Sequence, residues 1–106
     1  MNRQQQIDHF LLEAHQLALA RLRAQPQRLK DAAALLARWR EQAGETRSDA
    51  YWNEWEHLLD AGVDAIEREV CGPGDHAAAL RSVSPLSVLI SQQERGALLQ
   101  KARCAA

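Results

Sequence analysis

Apolar residues recur at three- and four-residue spacing from Ile7 onward, at Phe10, Leu11, Ala14, Leu17, Ala18 and Leu22, which places them on one side of an α-helix. The pattern predicts a first helix from about residue 4 to Gln25. Pro26 ends it or opens the next, because proline lacks the amide an interior turn needs but fits a first turn. Leu29, Ala32, Ala33, Leu36, Trp39 and Ala43 form a second helical stripe, with Gly44 as its stop.

Ser48 or Asp49 can cap a third helix, since either side chain accepts from a free first-turn amide. Tyr51, Trp55, Leu58 and Leu59 then share a face, with Trp52 at its edge. Val63, Ile66 and Val70 continue at helical spacing, so the helix either runs through Gly62 or restarts at Asp60. Cys71-Gly72-Pro73-Gly74 is the strongest break in the chain. Asp75 can cap a short helix through Leu80, and Ser84-Pro85 ends it, because the residue before proline is pushed from helical dihedrals. Leu86, Val88, Leu89 and Ile90 are the one stretch where a strand can be argued, but it is short and has no partner. Ser91 and Glu94 form a capping box for a last helix carrying Ala97, Leu98, Leu99 and Ala102. The expected architecture is all-α: residues 1–106 as a single domain, a compact bundle of five to six short-linked helices.

At 106 residues, the chain has the size of one domain with one modest core. The apolar fraction of 46% and charged fraction of 25% are those of folded globular chains rather than disordered ones. No apolar run approaches the roughly 20 residues a bilayer demands, and the residues after Met1 are polar. These features predict a cytoplasmic protein with no membrane partner. Cys71 and Cys104 are then expected as reduced thiols. Net charge is −1, unevenly placed. Residues 21–47 hold seven cationic side chains and three carboxylates, while residues 54–75 hold seven carboxylates and Arg68 as the sole cation. Packing the basic helix beside the acidic one would satisfy both within the molecule.

Candidate chemistry is sparse. His9 and Glu13 lie one turn apart but lack the further ligands a metal site needs. His57 shares a polar face with Glu54 and Glu56, His76 follows the Asp75 cap, and no histidine has a nucleophile beside it. Neither an enzyme activity, a metal nor a cofactor is expected. All three tryptophans and the single tyrosine fall within residues 39–55; these large rings predict a core between the second and third helices, with Trp52 the ring nearest a surface. Helix one supplies the argument for a partner. Beside its stripe through Ile7, Leu11, Ala14 and Ala18, a second row of Leu12, His15, Leu19 and Leu22 widens the apolar arc to roughly 220°, about twice what a surface helix uses. Either its own domain surrounds this helix, or another chain covers one side. Leu12, His15, Leu19 and Trp52 are the residues expected to meet that partner, another protein chain or a second copy.

The alternative is a DNA-binding regulator with a helix-turn-helix over Ala77 to Leu99, read by Gln92, Arg95 and Lys101. Nucleic acid is the weaker expectation: the usual turn glycine is missing, and Arg38 and Arg40 diverge by roughly 160° around their helix.

Leu80-Arg81-Ser82-Val83-Ser84-Pro85, Val88-Leu89-Ile90-Ser91, Glu94-Arg95 and the Tyr51-Trp52-Asn53-Glu54-Trp55 block resemble small bacterial helical proteins, some encoded in paired operons of the toxin and antitoxin type. The similarity spans roughly the last two thirds of the chain and carries over no catalytic residue. It implies a neutralising or adaptor role exerted by protein contact. One local expectation is directly measurable: Ser91→Ala should lower stability by about 1 kcal/mol in urea unfolding, the worth of one helix cap.

Overall fold

Asn2 stands where the first helix needs a cap. In the computed structural model, which describes residues 2–104, the Gln5 amide donates to the Asn2 side chain at 2.8 Å and the Asn2 amide to the Gln5 side chain at 3.0 Å. This reciprocal pair covers two amides that a helix start leaves open. Helix α1 then runs Arg3–Ala24. Pro26 opens a single 3-10 turn, Pro26–Arg28, leading straight into α2, Leu29–Ala43. Gly44 ends α2 at φ +66°, in the left-handed region where a side chain would be strained.

The third helical stretch is two helices, α3 (Asp49–Ala61) and α4 (Val63–Val70). Gly62 at φ +109° separates them, so the helix neither continues through the glycine nor restarts at Asp60. Ser48 makes no capping bond. The Asp49 carboxylate turns back instead, accepting from the Thr46 amide at 3.3 Å and hydroxyl at 3.2 Å.

Helix α5 spans Asp75–Ser82. The stretch that could be argued as a strand is a 3-10 helix, Pro85–Leu89, whose start is capped by the Ser84 hydroxyl accepting from the Leu86 amide at 3.1 Å. Helix α6, Gln92–Cys104, begins with both bonds of the expected capping box, Glu94 amide to Ser91 hydroxyl at 3.1 Å and Ser91 amide to Glu94 carboxylate at 2.9 Å. The molecule is therefore all-α, with six α-helices and no strand among the described residues.

Helix α1 is the hub, packing on α4, α5, α6 and the Pro85–Leu89 segment, which also lies across α2. Trp55, Leu22, Leu36, Ile66, Leu80 and Leu86 are fully enclosed where these elements meet. Two indoles tie α3 to the C-terminal end of α5: Trp55 Nε1–H donates to the Leu80 carbonyl at 2.9 Å and Trp52 Nε1–H to the Val83 carbonyl at 3.2 Å. The last carbonyls of a helix lack partners within it; Trp52 gives Val83 a donor, and Trp55 adds one to Leu80, which also accepts from the Val83 amide at 3.4 Å, so each indole joins apolar burial to a hydrogen bond.

The segregated charges meet inside the molecule. Arg23 of α1 bonds Asp64 at 2.9 Å and also pairs with Glu67, both on α4. Arg40 of α2 bonds Glu56 of α3 at 2.8 Å. Arg21 grips the Glu94 carboxylate and the Leu89 carbonyl together, fastening α1 to the entry of α6. That guanidinium, followed by the Ser91 amide, holds the Glu94 carboxyl down at about 2. Trp55→Phe should cost about 2 kcal/mol in chemical unfolding, since it removes a buried donor and leaves a gap beside Leu80.

Candidate functional site

The apolar stripe Ile7, Leu11, Ala14 and Ala18, each about one turn from the next, runs along α1 from the exposed Ile7 and half-buried Leu11 to the buried Ala14 and Ala18. Leu11, Ala14 and Ala18 wall a groove of about 380 Å³, room for roughly a dozen water molecules. Its opposite wall comes from Val83 and Ser84, the Leu86–Ser87 part of the 3-10 helix, and Ile90. Trp39 and Trp52 close one side, their rings 6.2 Å apart at 32°. Arg95 lies over the Phe10 ring at 5.2 Å from its centroid, placing a cation at the rim. Ile7, which extends the α1 wall, is 38% exposed; it and Val88 are the exposed large hydrophobics of the described residues.

The two rows of α1 are buried alike: Leu11 and Leu12 are half-buried, while Ala14, His15, Ala18 and Leu19 are buried. Leu19 is 4% exposed and His15 5%, and Leu12 is half-buried. Leu19 and Leu22 belong, with Ala18, to the core shared with Ile66 and Val70 of α4, so Leu19 is covered by the chain itself, whereas His15 lines the groove. Trp52 lines the groove too, 9% exposed, with its indole N–H committed to Val83.

Two buried side chains give the groove polarity. His15 Nδ1 lies 2.7 Å from the carbonyl of Leu11 one turn earlier, so Nδ1 carries the proton and Nε2 is a bare acceptor. Nε2 is enclosed and has no partner among the described residues. Burial, opposed by that backbone bond and assisted by the charge of Arg81, lowers the imidazole to about 4, so it is neutral at pH 7. Arg81, 8% exposed, donates from Nη1 to the carbonyls of Val70 at 2.6 Å and Gly72 at 3.2 Å. It thereby covers the end of α4 with a cation, the charge a helix C-terminus favours. Its Nε–H is enclosed and unpartnered among the described residues. Arg81 drew no attention in the sequence beyond its place in a resemblance. Its signal was position: Ala77, Leu80, Arg81 and Ser84 form the buried row of α5 and the residues just after it, and an arginine in such a row must find acceptors inside.

The helix-turn-helix arrangement is not formed. Residues 83–91, including a 3-10 helix, separate α5 from α6, and α6 packs on α1. Gln92 is exposed at the start of α6, but Arg95 covers Phe10, and Lys101 pairs with Glu13 at 3.1 Å. Glu13 also meets His9 at 3.2 Å, so its carboxylate sits between two basic groups. His76, rather than His57, bonds Glu54, at 2.8 Å. Among the described residues no three His, Cys, Asp or Glu side chains gather as a metal set, and no helix is long and apolar enough to cross a membrane. Cys71 and Cys104 are both free thiols; burial and then Glu67 push the Cys71 thiol upward, away from the reactive thiolate.

Compared with family models, curated proteins and solved structures, the chain matches none.

His15 gives the fold a pH dependence. The unfolded chain takes up a proton near 6.5, whereas the folded imidazole resists until about 4, so stability is complete above 6.5 and falls as pH drops between these values. Urea unfolding should show a loss of about 3 kcal/mol over that window, beyond any loss in a His15→Leu variant measured alongside.

Proposed function

We propose that this chain is a non-catalytic helical binding module that engages another protein chain by taking an apolar residue of that chain into the α1 groove. The observation that carries this is the groove: the half-buried Leu11 lines it beside the buried Ala14 and Ala18, and the exposed Ile7 stands one turn before Leu11 on the same helix. Concave, mainly apolar sites with a few polar groups are where proteins seat ligands and partner anchors. The charges support the same reading, because the cations of residues 21–47 that would draw a polyanion are partly spent on Asp64, Glu67, Glu56 and Glu94. In the paired-operon setting that the sequence resemblance implies, such a module acts as a neutralising or adaptor protein. A second copy of the chain is one partner the groove could serve.

A photo-crosslinking residue placed at Leu11, with another at the exposed Arg38 on α2 as control, tests this in cells. The account expects a discrete protein adduct from position 11 only, lost when Ile7→Glu is added, with light scattering telling a self-complex from a mixed one. Equal adducts from both positions, or an adduct indifferent to Ile7→Glu, would count against it.

A further inference from the structure

Helix α6 is held differently from the other five. Among the described residues Ala102 is its one buried side chain, Glu94, Leu98 and Leu99 are half-buried, and none of its residues joins the core shared by α1–α5 and the 3-10 helix. The element it packs on is α1, and the named ties are polar. Near its start Glu94 takes the Arg21 guanidinium, and near its end Lys101 meets Glu13 at 3.1 Å. Between them Arg95 lies over the Phe10 ring. The Lys101 side chain is 67% exposed, so solvent weakens that pair and leaves the Arg21 grip as the main fastening. The helix itself is a weak one: it has 13 residues, a length at the margin of stability without packing, and Gly96 stands exposed inside it, the poorest helix former after proline.

What α6 covers follows from the helical wheel of α1. At about 100° per residue Phe10, Leu17 and Arg21 fall within about 40° of one another, and Glu13 lies about 40° beyond Leu17. Because α6 is tied to both Glu13 and Arg21, it lies across Leu17, which is half-buried, and beside Phe10, which is 6% exposed. This strip is a third side of α1, next to the groove wall of Leu11, Ala14 and Ala18 and turned away from Leu19. We infer that α6 is a releasable strap: it leaves α1 while α1–α5 and the 3-10 helix stay folded, and so bares Phe10 and Leu17 beside the groove. Arg95 leaves with it, so the groove loses a lining cation and Phe10 loses its cover. Segments that move are drawn from the parts of a fold with the fewest buried apolar contacts, and α6, with one buried alanine, is that part here.

The test is amide hydrogen exchange of the full chain, followed by NMR in rising concentrations of urea below the unfolding transition. The amides of residues 98–102 should exchange roughly a hundredfold faster than those of Leu22, Leu58 and Leu59, and urea should accelerate them less, because lifting one helix exposes less surface than unfolding the whole chain. Arg21→Gln removes the grip and leaves the Ser91–Glu94 box in place; it should speed the α6 amides about tenfold, the worth of a charge-assisted hydrogen bond. Ile66→Val trims a fully buried core residue of α4 that stays packed while the strap is off. It should therefore speed exchange at Leu22, Leu58 and Leu59 several-fold and leave residues 98–102 unchanged. A single rate and urea dependence shared by α6 and the core would overturn the inference, as would equal acceleration of both by Ile66→Val. So would α6 amides indifferent to Arg21→Gln, or α6 amides with no protection at all, which would mark a helix that is not docked.

Discussion

The structure depends on covering the C-terminal ends of its short helices from within. Helices α4 and α5 are each eight residues long, too short to be stable by propensity alone, and side chains from elsewhere in the fold donate to carbonyls at their ends. Trp55 and Trp52 supply N–H groups to Leu80 and Val83 at the end of α5, and Arg81 supplies its guanidinium to Val70 and Gly72 at the end of α4. Each of these donors is mounted on a side chain that is itself buried. Burial and hydrogen bonding are thus coupled, and loosening one of the rings exposes a carbonyl as well as apolar area. Helix α1 packs onto this knot through His15, whose ring lies 6.4 Å from that of Trp55.

The arrangement explains why α1 needs two apolar rows. The Leu19–Leu22 row closes the core against α4. The Leu11–Ala14 row faces the junction of α5 with the 3-10 helix, where the backbone of Val83 and Ser84 turns and leaves space. A turning segment with its own caps cannot lie flat on a helix, so the groove follows from the break at Pro85. His15 and Arg81 sit where the closed and open sides of α1 meet, which is why they are buried in the core and also belong to the groove wall.

Much of this was legible along the chain. The outline of five to six helices, the stops at Gly44 and Ser84-Pro85, and the Ser91–Glu94 box follow from local rules: proline lacks an amide, glycine tolerates positive φ, and capping residues bond within three positions. The internal pairing of basic and acidic segments was also foreseeable, because the surplus of one fell on α2 and the end of α1 and the other on α3 and α4. Helical spacing showed two rows on α1 but not which would be covered, since that depends on where α4 and the Pro85–Leu89 segment come to rest. Ser48 failed as a cap because Asp49 found Thr46, a competition among equivalent local bonds that residue type does not rank. Arg81 was hidden for a similar reason: its acceptors, Val70 and Gly72, lie across the Pro73-Gly74 turn, and only the folded chain brings them to it.

The most direct measurement of the central claim is paramagnetic relaxation of methyl groups by a soluble nitroxide, recorded on the monomeric chain. The account predicts strong relaxation at Ile7 and Val88, an intermediate effect at Leu11, and near-complete protection at Leu19, Leu22 and Leu36. Equal relaxation of Leu11 and Leu19, or protection of Leu19 that disappears on dilution, would show that α1 is not closed on one side by its own fold, and would contradict the account.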